Sequence, residues 1–355
     1  MVVSLYTKEL RSAFYCQQAP MKFRIIYLFL LLPFTGIAKS NPVDMKLFSV
    51  FEDSLKKIGP AMFRGIDQDK IIANKKFTDL LRKAISTEGA FNYPFDSLKF
   101  IANLKAPDNA FRIFNWDVPK NDGTYTYYGF IVVDESKTGV QKKGSKEQYK
   151  IYDLIDKSAD LKSPEVSILT PEKWFGALYY KIILTNDKDK KFYTILGWGG
   201  NNKYTWKKII DVITFGKDGK PLFGEKNLFH RGKRSSKRVI FEFRSELIMT
   251  LKYEEDKKRI VFDHLAPEVG GAEGMYQLYS QTFVYDSFDW VKGKWQIRED
   301  IDARNNKSKK DGEYVKPTGD MNANQNGTAT PAPAPKKPGF FKRIFNKNDP
   351  PARPH

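Results

Sequence analysis

The hydrophobic pattern of the chain changes from helical spacing to strand-like alternation near residue 98. Before that point, apolar residues of a first helix recur at helical spacing: Phe48, Phe51, Leu55 and Ile58. The segment KKIGP ends this run, because proline and glycine interrupt helices. A second helix is predicted over residues 67–86, where five apolar residues share one face: Phe77, Leu80, Leu81, Ala84 and Ile85. We therefore predict a helical section over residues 41–97.

Residues 98–303 consist of short apolar and aromatic runs that are separated by polar turns. AFRIFNWDV and YTYYGFIVV flank PKNDG, and GALYYKIIL and KFYTILGWG flank TNDKDK. Later runs include RVIFEF, IMTLKYEE, KRIVFDHL and FVYDSFDWV. Such runs, joined by Asn/Asp/Gly turns, are typical of antiparallel hairpins. The predicted fold is mainly β, an antiparallel sandwich or barrel-like sheet, with the two N-terminal helices packed on it or capping one end.

Residues 21–40, MKFRIIYLFLLLPFTGIAKS, contain the three regions of a secretory signal peptide in order. Lys22 and Arg24 are positively charged, residues 25–37 form an apolar run, and small residues follow. This run is shorter than the roughly 20 residues that a membrane-spanning helix needs. We predict a cleaved signal peptide, with an uncleaved N-terminal anchor as the alternative. Translation begins at Met1 or at Met21.

The chain contains a single cysteine, Cys16, which lies upstream of the apolar run. A mature protein that begins at Lys39 or Asn41 therefore has no disulfide, no thiol nucleophile and no thiolate metal site. A disulfide-free exported protein fits a bacterial envelope better than an animal secretome. We predict that the protein is periplasmic or associated with the outer membrane of a Gram-negative bacterium.

The net charge of +18 is spread unevenly along the chain. Residues 1–38 carry four Lys/Arg and one Glu, and residues 304–355 carry eleven Lys/Arg and four Asp/Glu, which leaves +8 for residues 39–303. A basic body is compatible with nucleic acid, but export argues against that partner. Anionic lipid headgroups or envelope polymers are the expected acidic partners.

The C-terminal region is predicted to be a linker followed by a short amphipathic segment. Residues 304–338 are polar and rich in Lys, Asn, Pro and Gly, which is typical of a disordered linker. Residues 339–347 are GFFKRIFNK, and a helix here would separate apolar from basic residues: Phe340, Phe341, Ile344 and Phe345 against Lys342, Arg343 and Lys347. We predict that this segment contacts an anionic membrane surface or a groove on an envelope protein, with a solvated tail as the alternative.

The segment ILGWGGNNKYTWKKIIDVIT, residues 195–214, concentrates glycine and asparagine between two apolar runs. It does not match a dinucleotide-binding fingerprint, because an asparagine occupies the third glycine position and a strand-like run follows. A strand end with a tight turn or bulge is the main interpretation. A ligand-binding ledge is the alternative, with Trp198 as a flat face and Asn201 and Asn202 as amide donors and acceptors.

No motif in the sequence predicts a catalytic residue, a metal site or a cofactor. GVQKKGSK, residues 139–146, has the wrong order of serine and lysine for a phosphate-binding loop. The two body histidines, His230 and His264, lack zinc-ligand spacing, and Asp263 and His264 point to opposite faces of a strand. A structural role is expected for His264, with catalysis as the alternative. A solvated end is expected around Asp300, Asp302 and Asn305, with a loose calcium site as the alternative. The many acids of the body allow a carboxylate pair for glycoside hydrolysis, and no pattern singles one out.

Several segments between residues 110 and 305 resemble uncharacterised exported proteins of the Bacteroidota. They include YTILGWGGNN, KKIIDVITF, RIVFDHLAPE and GKWQIREDIDARN. That group has no assigned activity, so the resemblance implies an envelope location and an all-β body, and no functional residue carries over. The sequence hypothesis is a non-enzymatic envelope protein. The alternative is a glycan-binding or glycan-hydrolysing protein with aromatic platforms near Trp116, Trp174 and Trp198.

Overall fold

The computed structural model describes residues 44–138 and 148–302, which begin with two helices. Helix α1 (Met45–Ile58) begins where the Asp44 carboxylate accepts a hydrogen bond from the amide of Leu47 at 2.9 Å. A 3₁₀ turn (Gly59–Phe63) follows it, and helix α2 spans Asp67–Ile85. Both predicted helices are therefore confirmed. Neither has the length and apolar character of a membrane-spanning helix in the part of the chain that the structure describes.

Within the described residues the strands form three sheets. The four-stranded sheet has the order β1-β2-β3-β4: β1 (Ala102–Lys105), β2 (Phe111–Pro119), β3 (Tyr125–Asp134) and β4 (Tyr149–Ile155). The five-stranded sheet has the order β11-β7-β6-β5, with β8 also paired to β7: β5 (Leu178–Asp187), β6 (Lys190–Gly200), β7 (Thr205–Phe215), β8 (Pro221–Phe223) and β11 (Val239–Arg244). The six-stranded sheet has the order β10-β9-β15-β14-β13-β12: β9 (Phe229–Arg231), β10 (Arg234–Ser236), β12 (Leu251–Glu254), β13 (Arg259–Pro267), β14 (Tyr279–Val291) and β15 (Lys294–Ile301).

The helices and the three sheets pack as successive layers with a hydrophobic core between each pair. Alternate residues of one strand enter different cores, because successive side chains point to opposite faces. In β2, Phe114 packs against the helices while Ile113 packs against the five-stranded sheet. In β7, Ile209 faces the core shared with β2, and Ile210 faces the core shared with the six-stranded sheet. The central strands are therefore buried on both faces.

The predicted class, mainly antiparallel β with two N-terminal helices, is confirmed. Among the strands of residues 44–138 and 148–302, all pairs are antiparallel except the pair of β15 with β9, which is parallel. The helices pack on one face of the four-stranded sheet, and the body has three stacked sheets where a sandwich has two. The predicted linker over residues 304–338 and the segment over residues 339–347 lie outside the described residues, as does the signal segment.

A buried ion pair attaches the long connection between β4 and β5 to the five-stranded sheet. Arg238 and Asp211 are both completely buried, with Nε and Oδ2 3.0 Å apart. The guanidinium of Arg238 also donates to the carbonyl oxygens of Pro164, Ser167 and Phe223. Two of these carbonyls belong to the connection, so Arg238 holds residues 164–167 beside strand β11.

The outer edge of β11 is covered by other parts of the chain. The carbonyl oxygen of Glu165 accepts hydrogen bonds from the amides of Lys237 and Arg238, at 2.8 and 3.3 Å. Its carboxylate accepts from the amide of Ile240 at 3.3 Å. At the other end of the strand, Arg244 donates to the carbonyl of Gln277 at 3.1 Å. An edge covered in this way is protected from pairing with another strand.

Candidate functional site

A groove of about 580 Å³ lies between β11 and the β4–β5 connection. Its floor is formed by Lys207 of β7 and by Ile240 and Glu242 of β11. One wall is the connection over residues 158–166, and Tyr276 stands at the opposite rim. This volume falls within the range of about 300–1,000 Å³ that is common for small-molecule sites. We call this feature the β11 groove.

The polar centre of the β11 groove is the pair of Lys207 and Glu242. These residues lie directly opposite each other in the register of β7 and β11, so their side chains share one face of the sheet. Lys207 Nζ lies 3.5 Å from Glu242 Oε2. Their side chains are 23% and 20% exposed, which leaves both charges partly shielded but open to a ligand in the groove.

Two residues at the β6–β7 turn hold this pair in place. Asn201 donates from Nδ2 to Glu242 Oε1 at 2.9 Å and accepts from Lys207 Nζ at 2.9 Å. The Thr205 hydroxyl donates to the same Oε1 atom at 2.8 Å. Fixed partners of this kind reduce the entropy that a binding site loses when it takes up a ligand. The Lys207–Glu242 pair is therefore pre-organised for hydrogen bonding.

Tyr276 supplies the aromatic side of the groove. Its side chain is 40% exposed, and its ring packs against Tyr279 with centroids 5.1 Å apart. Burial and the negative charge of Glu242 raise the pKa of the Tyr276 hydroxyl above its ordinary value. The hydroxyl therefore stays protonated at neutral pH and keeps its hydrogen-bond donor.

The structure places Trp198 inside the protein, close to the end of β6. It is 9% exposed and meets Tyr125 and Trp206 edge to face, with ring centroids 5.6 and 5.5 Å away. A side chain at Gly200 would overlap the ring of Tyr125, so the end of β6 requires glycine there. The glycine-rich stretch is thus the end of a strand against an aromatic cluster.

The two predicted asparagines have different positions. Asn202 closes the turn between β6 and β7, because its Oδ1 accepts from the amides of Tyr204 and Thr205 at 2.8 and 3.0 Å. Asn201 is part of the network that holds Lys207 and Glu242. Of the three residues predicted to bind a ligand, Asn201 alone joins the groove network, and it does so by supporting other side chains.

Trp116 and Trp174 are completely buried and hydrogen-bonded. Trp116 donates to Asn74 Oδ1 at 2.7 Å, and Trp174 donates to the hydroxyl of Tyr179 at 2.8 Å. In this structure neither ring has a surface on which a sugar could lie. Two aromatic residues line the groove, Phe175 and Tyr276, and the exposed ring is that of Tyr276, which the sequence hypothesis did not include.

The two body histidines each have a hydrogen-bonding partner. His264 Nδ1 lies 2.7 Å from Asp286 Oδ2 on the neighbouring strand β14, while the Asp263 carboxylate accepts from the amide of Thr250 at 2.6 Å. Burial raises the pKa of Asp263 above its ordinary value. His230 contacts the carbonyl of Asn227 at 2.9 Å. Asp263 and His264 therefore have separate partners, and the register of β13 with β14 shifts between Asp263 and Leu265.

The residues of the two described ranges contain no cluster of three or more metal-ligating side chains. The basic loop over residues 139–146 lies outside those ranges. The same is true of the tail residues predicted to contact a membrane or partner: Phe340, Phe341, Lys342, Arg343, Ile344, Phe345 and Lys347. For these residues the sequence predictions stand as predictions.

Sequence reasoning missed Lys207, Glu242 and Tyr276. A weak signal was present, since VIFEFR places a single acid between apolar residues of a strand. A charged residue within such a run either faces solvent or has a partner across the sheet. Strand register, which cannot be obtained from the local pattern, identifies Lys207 as that partner.

Comparisons with known proteins give no relative from which these residues could be interpreted. No family model matches the chain, and neither the curated proteins nor the solved structures contain a significant match.

Proposed function

We propose that this protein is an exported, non-enzymatic binding protein of the bacterial cell envelope, and that the β11 groove receives its ligand. Export is supported by the signal-like residues 21–40 and by a body without cysteine. The basic body and tail suit a compartment whose lipids and polymers are largely anionic. The proposed role is recognition of an envelope component.

The observation that carries the binding role is the held pair of Lys207 and Glu242. Opposite charges in a half-buried groove attract each other, so the two side chains stay in place without a ligand. Asn201 and Thr205 fix the carboxylate further. Such an arrangement offers a donor and an acceptor at set positions, which favours binding with little rearrangement.

Glycan hydrolysis is the second candidate, and one observation favours it. Glu165 and Glu242 both line the groove, and glycosidases use two carboxyl groups that flank the scissile bond. In that case replacement of Glu242 by glutamine abolishes turnover of an oligosaccharide while binding remains. If the protein only binds, the wild-type protein leaves the oligosaccharide intact.

A second contact is proposed for the C-terminal segment over residues 339–347. Its phenylalanines and basic residues suit an anionic membrane surface, where each Lys or Arg adds about 1 kcal/mol of attraction. This contact would hold the body near the envelope and raise the local concentration of its ligand.

Fractionation and pull-down in the native host test the proposed function. The full-length protein, expressed at its natural level, should be found in the periplasmic or outer-membrane fraction. Tagged protein should retain an envelope component that is lost from a Lys207→Met, Glu242→Gln double variant. Recovery in the cytosolic fraction with an intact residue 21–40 segment would contradict export. Equal recovery of the component by both proteins would contradict the groove as its site.

A further inference from the structure

We propose that the β11 groove binds a neutral saccharide, with two neighbouring hydroxyls of one sugar on Lys207 and Glu242 and the sugar ring beside Tyr276. This inference rests on the proposed function, because it names the class of ligand for the same groove. Three features carry it: the unused hydrogen-bonding capacity of the pair, the balance of charge, and the combination of a polar floor with an aromatic rim.

The first feature is the remaining hydrogen-bonding capacity of the Lys207–Glu242 pair. Oε1 of Glu242 accepts two hydrogen bonds, from Asn201 and Thr205. Within the described residues, no hydrogen bond is formed to its Oε2, and Lys207 uses one of its three donors, on Asn201. A donor and an acceptor therefore remain side by side, with Nζ and Oε2 3.5 Å apart.

A pair of neighbouring hydroxyls satisfies both atoms at once. Each hydroxyl donates one hydrogen bond and accepts up to two, so one hydroxyl can accept from Lys207 while the next donates to Glu242. Hydrogen bonds to charged groups are about twice as strong as those between neutral groups. Adjacent hydroxyls on a ring of fixed shape are characteristic of sugars.

The second feature is charge. The groove is lined by two lysines and two glutamates: Lys162, Lys207, Glu165 and Glu242. Because these charges sum to zero, the lining itself favours neither a cation nor an anion. An anionic ligand on Lys207 would also lie next to the Glu242 carboxylate, and like charges at that distance repel. The balance favours a polar ligand without net charge.

The third feature is the amphipathic lining. Tyr276 presents an aromatic surface at the rim, and Ile240 and Leu161 add apolar surface next to the polar floor. Sugars have a polar edge and an apolar face of C–H groups, so they suit a site that combines both kinds of surface. Ser163 lies in the wall and adds a hydroxyl, whereas the hydroxyl of Ser158 already bonds Asp156 and the amide of Gly176.

An extended peptide fits this groove less well. A peptide strand binds a sheet edge through its backbone, and the amides of Arg238 and Ile240 already donate to Glu165. Residues around Gln277 cover the far end of the same edge. The groups that the Lys207–Glu242 pair offers to a ligand belong to side chains, which agrees with recognition of hydroxyls.

Calorimetric titration of the full-length protein tests the proposal. The probes are maltotetraose, cellotetraose, mannotetraose and chitotetraose, with tetragalacturonate as an anionic counterpart and a Gly-Ser tetrapeptide as a peptide control. At least one neutral tetrasaccharide should bind saturably. Lys207→Met and Tyr276→Ala should each weaken that binding by at least about ten-fold, since each removes a direct contact.

Lys190→Met is the matched control, because Lys190 pairs with Glu225 at 2.9 Å and does not line the groove. It should bind the same saccharide with unchanged affinity. Far-ultraviolet circular dichroism confirms that each variant is folded, and Glu242→Gln provides a second groove variant of unchanged size. The proposal is overturned if no neutral probe binds, if only tetragalacturonate or the peptide binds, or if Lys207→Met and Lys190→Met behave alike. None of these results depends on where the protein is found in envelope fractionation. The proposed function can therefore fail, or hold, independently of the saccharide proposal.

Discussion

Arg238 and Asp211 form an ion pair from which solvent is completely excluded, with Nε and Oδ2 3.0 Å apart. The pair joins β7 to the residue before β11, and the same guanidinium binds three carbonyl oxygens of neighbouring segments. One side chain thus holds the edge of the five-stranded sheet and the wall of the β11 groove together. Its loss affects both stability and the shape of the groove.

Replacement of Arg238 by methionine should destabilise the protein by about 3–5 kcal/mol. The change leaves the Asp211 carboxylate buried without its partner. A buried charge without a partner costs free energy of folding, which is why breaking a buried ion pair is destabilising. Urea unfolding followed by tryptophan fluorescence measures the effect. The Arg238→Met, Asp211→Leu double variant should recover part of the loss, because no buried charge remains. A free energy of unfolding of Arg238→Met within about 1 kcal/mol of the wild-type value would contradict this account.

Gly200→Ala should destabilise the protein by about 1–3 kcal/mol, the usual range for overpacking. The added methyl group meets the ring of Tyr125, which packs against Trp198. Gly270→Ala is the matched control, because an added methyl group there has open space around it. Thermal unfolding compares the two variants. Equal melting temperatures for both would show that the aromatic cluster accommodates the methyl group without cost.

The Glu172 carboxyl should titrate at unusually low pH. The hydrogen bond from Lys220 lowers the pKa of Glu172 to about 2 from its usual 4.5. A lowered pKa in the folded state means that the contribution of Glu172 to stability is present above pH 4.5 and is lost as the pH falls towards about 2. Carbon-detected NMR titration measures the pKa directly. Lys220→Met should return it towards 4.5, and an unchanged pKa would exclude Lys220 as the cause.

The mature protein should begin at Lys39 or Asn41, because small residues precede both positions after the apolar run. N-terminal sequencing of protein from an envelope fraction of the native host identifies the start. A soluble cytosolic protein that begins at Met1 or Met21 would contradict the signal-peptide prediction. Retention of the segment in a membrane fraction would instead support the uncleaved anchor.

The C-terminal segment should contribute most of the affinity for anionic vesicles. Co-sedimentation with vesicles of phosphatidylglycerol and phosphatidylethanolamine should fall when residues 336–355 are deleted, and it should also fall at high salt. A Phe341→Ser, Phe345→Ser variant keeps the charge and removes apolar contact, so it separates insertion from simple attraction. Binding that is unchanged by the deletion would exclude the tail as a membrane contact.

The local pattern of the sequence determined the helices, most of the strands and the turns between them. Phe77 and its neighbours repeat at helical spacing, and α2 spans Asp67–Ile85 where residues 67–86 were predicted. TWKKIIDVIT was interpreted as a strand and forms β7. These features depend on residues close together in sequence, whose periodicity reflects which side chains face the core.

The tertiary structure alone decided the number of sheets and the composition of the β11 groove. Lys207 and Glu242 meet because β7 and β11 pair in one register, and Tyr276 reaches the rim from a distant connection. The local sequence around Trp198 is compatible with a ring that faces a ligand and with a ring that packs against Tyr125. In the folded protein the ring packs against Tyr125. Pairing between distant strands is set by side-chain packing across sheets, and a local hydrophobic pattern contains no information about which strand is the neighbour.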